Sequence, residues 1–210
     1  MTTASPDPDS PKERILAAVG PRILRDGFSS LSVERLSADL GISKKTFYRM
    51  FSGKEQLVDA VVSGLMHEAG HRFDVLLEES EDFTESFAGV LALLGDIGGR
   101  IGKPFLEDVQ RHLPVTWKRF ERFRRQRIRM VFARLIERGI RQGHVRRSVN
   151  TTLFLRSYIG AVEAVVTPAV LMHEPFSARE AVQGILDIFF RGVLTPRAAQ
   201  KLPRLKLHES

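Results

Sequence analysis

The chain of 210 residues contains no cysteine, which excludes thiol catalysis, disulfides and cysteine-based zinc sites. Strand-like alternation of useful length is missing, and so is any internal repeat, which leaves helix as the regular element. Long apolar runs are missing as well. The most apolar stretch, residues 158–172, is broken by Glu163 and Pro168 and falls short of the ~20 residues a bilayer span needs. No G-x-S-x-G elbow is present to anchor a serine hydrolase. The glycines at 95, 98, 99 and 102 before Lys103 do not make a phosphate loop, because Ile97 and Pro104 stand where a glycine and a hydroxyl are required. These absences predict an all-α, cytoplasmic protein with no membrane partner, no cofactor, no metal and no catalytic centre. The hydrophobic content of 43% is enough for a sizeable core.

The net charge is +7, but it is unevenly spread. Residues 1–60 are nearly balanced, with 9 basic and 8 acidic groups, and residues 61–110 carry 3 basic against 10 acidic. Residues 111–150 carry 13 basic against 2 acidic. Overall charge therefore does not locate a nucleic-acid site. A local pattern does.

That pattern is residues 31–57, LSVERLSADLGISKKTFYRMFSGKEQL. Ser32 is a good N-cap, and Val33, Leu36 and Leu40 fall on one helical stripe. Gly41 suits a helix end that requires positive φ, Ile42 plugs the turn, and Ser43 caps the next helix. At 100° per residue, Ser43, Phe47 and Met50 share one side of that helix, and Lys44, Lys45, Tyr48 and Arg49 share the other. Between Gly41 and Lys54 there are four basic residues and no acidic one. Lysine and arginine supply phosphate affinity, while Thr46 and Tyr48 can bond phosphate or touch base edges. Ser52-Gly53-Lys54-Glu55 matches a capping box, so another helix is expected there, with its N-terminus and Lys54 as an anion site.

Gly27-Phe28, Ser32-Val33, Leu36, Gly41-Ile42-Ser43-Lys44, Thr46-Phe47-Tyr48, Phe51, Lys54-Glu55 and Leu57 resemble the DNA-binding head of TetR-type transcriptional regulators. The resemblance covers roughly residues 11–60 by motif and the remainder by helical layout. Lys45 departs from it, standing where such regulators often have a small residue, and Gly20-Pro21 predicts a kink in the first helix. The resemblance implies a three-helix helix-turn-helix head at 11–56 and a larger helical body at 57–195 for effector binding and dimerisation, about nine helices in all. It further implies a homodimer on a double-stranded operator, most simply a repressor released by a small-molecule effector. Ser32, Ser43, Lys44, Lys45, Thr46, Tyr48, Arg49 and Lys54 would contact DNA. Residues 1–10, polar and acidic, read as a disordered leader rather than a signal peptide, and the basic stretch 196–210 reads as a flexible tail.

In the body, helices are expected over 53–79, 82–97, from Pro104, over 115–142, 150–171 and 177–194. The last two are apolar nearly all round. Leu153, Val162, Val166, Ile185, Phe189 and Val193 are therefore expected either in a deep monomer core or, as the resemblance implies, in a four-helix dimer interface, with Gly160 and Ala164 allowing close approach. Lys118, Arg122, Arg125 and Arg129 read as a solvated face. His67-Glu68-Ala69-Gly70-His71 matches H-E-x-x-H, so a zinc-dependent hydrolase stays open as an alternative. A DNA-binding assembly factor without a small-molecule response is another. The resemblance places the helix carrying His67 and His71 beside a ligand cavity, which makes both candidate contacts. Phe87, Phe105, Trp117, Phe120, Phe123 and Tyr158, aromatic residues in apolar stretches, are further candidates. Glu163 is the polar one, because a carboxylate in an apolar run needs a partner.

Overall fold

The computed structural model describes residues 10–201. Within them the chain forms eleven helices and one isolated antiparallel bridge, Val145 to Leu194. Three short helices form the head: α1 (Pro11–Asp26), α2 (Val33–Asp39) and α3 (Lys44–Met50). Eight form the body: α4 (Lys54–Glu79), α5 (Phe83–Gly99), α6 (Lys103–His112), α7 (Pro114–Arg141), α8 (Thr151–Val165), α9 (Pro168–Leu171), α10 (Ala178–Arg191) and α11 (Pro196–Lys201).

Local signals set most of the boundaries. The side chains of Ser10, Ser32, Ser43, Asp82, Asn150, Thr167 and Ser177 each accept an N–H from the first turn that follows. Gly41 adopts φ 63° between α2 and α3, a conformation that costs other residues strain.

α1 runs unbroken through Pro21, which sits on its exposed side, where the freed carbonyl of the preceding turn can meet water. Three expectations are corrected. The helix expected over 150–171 stops at Val165 and restarts as α9, because Pro168 cannot donate to a continuing helix. Ser52 does not form a capping box with Glu55. The cap of α4 is Gly53, and the Ser52 N–H donates to Gln56 Oε1 at 2.5 Å. The stretch from 196 is helical to Lys201 with Ala198 buried, where a loose tail was expected. The expected leader over 1–9 and the tail beyond 201 lie outside the described residues.

α4 is shared between the two parts of the molecule. At 26 residues it is about 39 Å long. It packs on α1, α5 and α7, and α7 meets it in both halves, at Asp59 and Ser63 and again at Asp74. In the head, Phe28, Leu36, Phe47, Phe51 and Leu57 close a small apolar centre and are all but inaccessible. In the body, Phe87, Phe132, Phe154, Tyr158, Phe189 and Phe190 make a connected aromatic cluster with centroid distances between 4.6 and 6.2 Å. The parts meet tightly. The Gly102 N–H donates to the Leu24 carbonyl at 2.8 Å, and a Cβ on Gly102 would collide with the Arg25 carbonyl oxygen.

Candidate nucleic-acid interface and apolar cavity

α3 is anchored from below and open above. Phe47 is fully buried and meets the rings of Tyr48 and Phe51 at 5.7 and 5.6 Å, while Met50 packs against the same centre. This seating turns Lys44, Lys45, Tyr48 and Arg49 to the exposed side, with Tyr48 53% exposed. Lys45 and Arg49 form no ion pair among the described residues, so their charges face solvent. Ser43 Oγ accepts the Thr46 N–H at 3.0 Å and lies 2.9 Å from Thr46 Oγ1. Both hydroxyls sit at the start of α3, where its backbone dipole favours anions.

The remaining head residues are more committed. Ser32 caps α2 by accepting the Arg35 N–H. Lys44 bridges to Glu34 at 2.5 Å, and this hydrogen bond holds the Glu34 carboxyl below its usual range. Lys54 donates to the Ser29 and Leu31 carbonyls at 3.2 and 3.4 Å. Its ammonium therefore ties the start of α4 to the loop before α2 and does not stand free as an anion site.

Two polar clamps join this head to the body. Asp108 on α6 accepts the N–H groups of Phe28 and Ser29 at 2.6 and 2.7 Å and the Ser29 hydroxyl at 2.6 Å. Burial works against its charge, but these bonds, with His112 nearby, outweigh it and hold the carboxyl below its ordinary value. On α7, Thr116 donates to Asp59 Oδ1 at 2.5 Å, and Arg119 reaches Asp59 at 2.8 Å and Ser63 at 3.0 Å. Asp59 and Ser63 lie on the first half of α4.

The body holds a partly open cavity of about 130 Å³ between α4, α5, α7 and α10. Ala69, Phe73, Leu94, Phe120, Phe123 and Val131 are among its walls, the side chains of Arg124 and Arg127 also line it, and its surface is almost wholly carbon. Of the candidate ligand contacts, only Phe120 and Phe123 reach it. Trp117 stacks behind Phe120 at 5.9 Å. Phe105 is plain core, and Phe87 and Tyr158 belong to the aromatic cluster; burial pushes the Tyr158 phenol pKa up, and its hydroxyl has no partner. Glu163 is corrected outright: it pairs with Arg125 at 2.6 Å on the surface.

His67 and His71 are exposed on α4 over a separate shallow groove beside Asp74 and Arg127. Glu68 between them is held by Arg100 at 2.6 Å and by Arg72 at 3.2 Å, and the Arg100 bond lowers its pKa despite partial burial. It is thus not free to serve as a base. Among the described residues no group of three or more His, Asp or Glu is placed to hold a metal. The zinc-hydrolase alternative has no centre to act from.

The expected dimer residues divide. Val162, Val166, Ile185 and Val193 are buried within the single chain, and Phe189 packs edge-on against Phe154 and Tyr158. Only Leu153, 63% exposed, faces outward, joined by Ile188 at 70%. Helices apolar nearly all round do bury more than one side, and here the richer side is turned inward.

The residues missed from sequence are Asp108, Asp59, Arg119, Arg124 and Arg127. A signal existed for two of them. Arg124 lies four residues from both Phe120 and Ile128, and Arg127 four from both Phe123 and Val131, so both fall on the apolar side of α7.

Comparison with known proteins agrees with this architecture. Residues 23–61 match the profile described as "Bacterial regulatory proteins, tetR family". The chain is 29% identical over 188 residues to the uncharacterized HTH-type transcriptional regulator YvaF of Bacillus subtilis (strain 168), covering 89% of this chain and 97% of that protein. Among solved structures it superposes on a transcriptional regulator from Cytophaga hutchinsonii with TM-score 0.67 and 20% identity, covering 87% and 98% of the two chains. It also superposes on SmeT, the repressor of the Stenotrophomonas maltophilia multidrug efflux pump SmeDEF, with TM-score 0.64 and 16% identity over 97% and 98%. Among the described residues no helix is long and apolar enough to cross a membrane.

Proposed function

We propose that the chain is a DNA-binding transcriptional regulator of the TetR type, a homodimeric repressor whose operator affinity falls when a small molecule occupies the body cavity. One observation carries the DNA-binding half of this reading: Phe47 seats α3 so that Lys45, Tyr48 and Arg49 stand exposed, with both cationic side chains unpaired. Lys45, Tyr48 and Arg49 would enter the major groove, with Thr46, Ser43, Lys44 and Ser32 on flanking phosphates.

The dimer would form through the outward sides of α8 and α10, where Leu153 and Ile188 are exposed and the Cβ positions of Gly160 and Gly184 face open space. Two heads so joined read half-sites about 34 Å apart, or a multiple of that. The effector route runs along α7. Phe120, Phe123 and Arg124 line the cavity, while Thr116 and Arg119, one turn earlier, grip the half of α4 that packs on the head. A ligand that moves α7 would shift the population of head separations. The apolar cavity favours this over an assembly factor with no small-molecule response.

The test begins with selection of bound DNA from genomic fragments by the purified protein. On the selected duplex, Lys45→Ala and Arg49→Ala should each weaken binding by about 1–3 kcal/mol with thermal stability unchanged within about 0.5 kcal/mol. Gel-shift affinities equal to wild type for both variants would remove the assignment.

A further inference from the structure

Seven arginine–carboxylate pairs and five arginine-to-carbonyl bonds brace the described body, yet Arg124 at the cavity wall has no carboxylate partner among the described residues.

 Arg124 takes part only through a carbonyl: its Nη1 donates to Val166 O at 3.1 Å. Its Nη2 is shut off from solvent and has no acceptor. Its other neighbour is the Phe120 ring, 6.0 Å from the guanidinium carbon. Glu121 and Glu163 act on it through space, but Glu163 is committed to Arg125. Arg127, the second cation at the wall, is satisfied by Asp74 at 2.6 Å and by the Phe123 ring at 5.7 Å.

A cation taken out of water without a counter-charge is costly, and guanidinium presents a planar fork that matches a carboxylate. We infer that the cavity takes a compact monocarboxylate, its apolar part among Phe73, Phe120 and Phe123 and its carboxylate on Arg124. This rests on reading the cavity as the effector site. One guanidinium without a carboxylate partner suits a single negative charge, whereas a phosphate dianion would leave excess charge against carbon walls. The cavity of about 130 Å³ sets the size. An engineered apolar cavity of about 150 Å³ holds benzene, so the apolar part has on the order of six carbons.

The test uses the purified full chain with benzoate and hexanoate against their neutral isosteres, benzamide and hexanamide. Binding is read by calorimetry and by the fluorescence of Trp117, the chain's single tryptophan, stacked on Phe120. The wild type should bind each acid about tenfold or more tighter than its amide. Arg124→Met should abolish that preference while still binding the amides, and Arg124→Lys should restore part of it. Equal affinities for acid and amide in the wild type, which need no variant to fold, would overturn the inference. So would an unchanged preference in Arg124→Met, or no saturable binding of either acid. A gel shift on the selected operator separates the two readings. Release by an amide without acid preference sinks the carboxylate and leaves the effector reading; tight acid binding without release does the reverse.

Discussion

The head and the body solve burial differently. The centre of the head is almost wholly apolar, with Phe28, Phe47, Phe51 and Leu57 closed together, the cations kept outside and Ser37 the one polar side chain buried among its described residues. The body buries polar groups among its aromatic residues: Arg138 spans the Leu77 and Ser80 carbonyls and the Ser86 hydroxyl, and Arg124 and Arg127 flank a void. A nearly all-apolar, close-packed centre holds a reading surface still. A body with a cavity and partly satisfied cations has room for a second arrangement, which a responsive part requires.

The sharpest way to break this contrast is Phe47→Ala. Removing the ring from a fully closed site should cost about 3–5 kcal/mol in thermal or denaturant unfolding and abolish operator binding with it. A loss below about 1 kcal/mol would show that the head is looser than its packing implies.

Asp108 tests the seam between the two parts. Asp108→Ala leaves the Phe28 and Ser29 N–H groups without their acceptor and should cost about 2–3 kcal/mol. Because the folded carboxyl titrates below its unfolded value, its contribution is present above about pH 4 and is lost as pH falls through the lower folded value. Unfolding followed from pH 6 down to pH 2 should show this acid-side loss in the wild type and less of it in Asp108→Asn.

Lys54→Ala is expected to cost about 1 kcal/mol, because the Ser29 and Leu31 carbonyls lose a donor. The salt dependence of DNA binding should stay as in the wild type. A slope lowered by about one phosphate contact would return Lys54 to the DNA interface. The smallest effect belongs to Glu163→Gln, which breaks an exposed pair with Arg125 and should change unfolding by less than about 1 kcal/mol. A larger loss would mean that this carboxylate does more for the body than its surface position indicates.

The head was legible because its signals are local. Ser32, Gly41 and Ser43 act within four residues of themselves, and the alternation of Phe47 with Lys44, Lys45, Tyr48 and Arg49 follows from helical pitch alone. The cavity was not legible in the same way. Aromatic residues in apolar stretches look alike whether they line a void, as Phe120 and Phe123 do, or fill a core, as Phe87 and Tyr158 do. Glu163 was singled out because its run is apolar, and the structure satisfies it from α7, 38 residues away.

Composition, capping residues and helical periodicity by themselves determined the all-helical class, most helix boundaries, and the residues that a reading helix would present. Tertiary structure alone decided which apolar side of α8 and α10 turns inward, that Lys54 spends its charge on two carbonyls, and that Asp108 holds the head from 79 to 80 residues away. The physical reason is range. Capping and pitch operate over one or two turns, whereas burial and ion pairing depend on which distant helix arrives alongside.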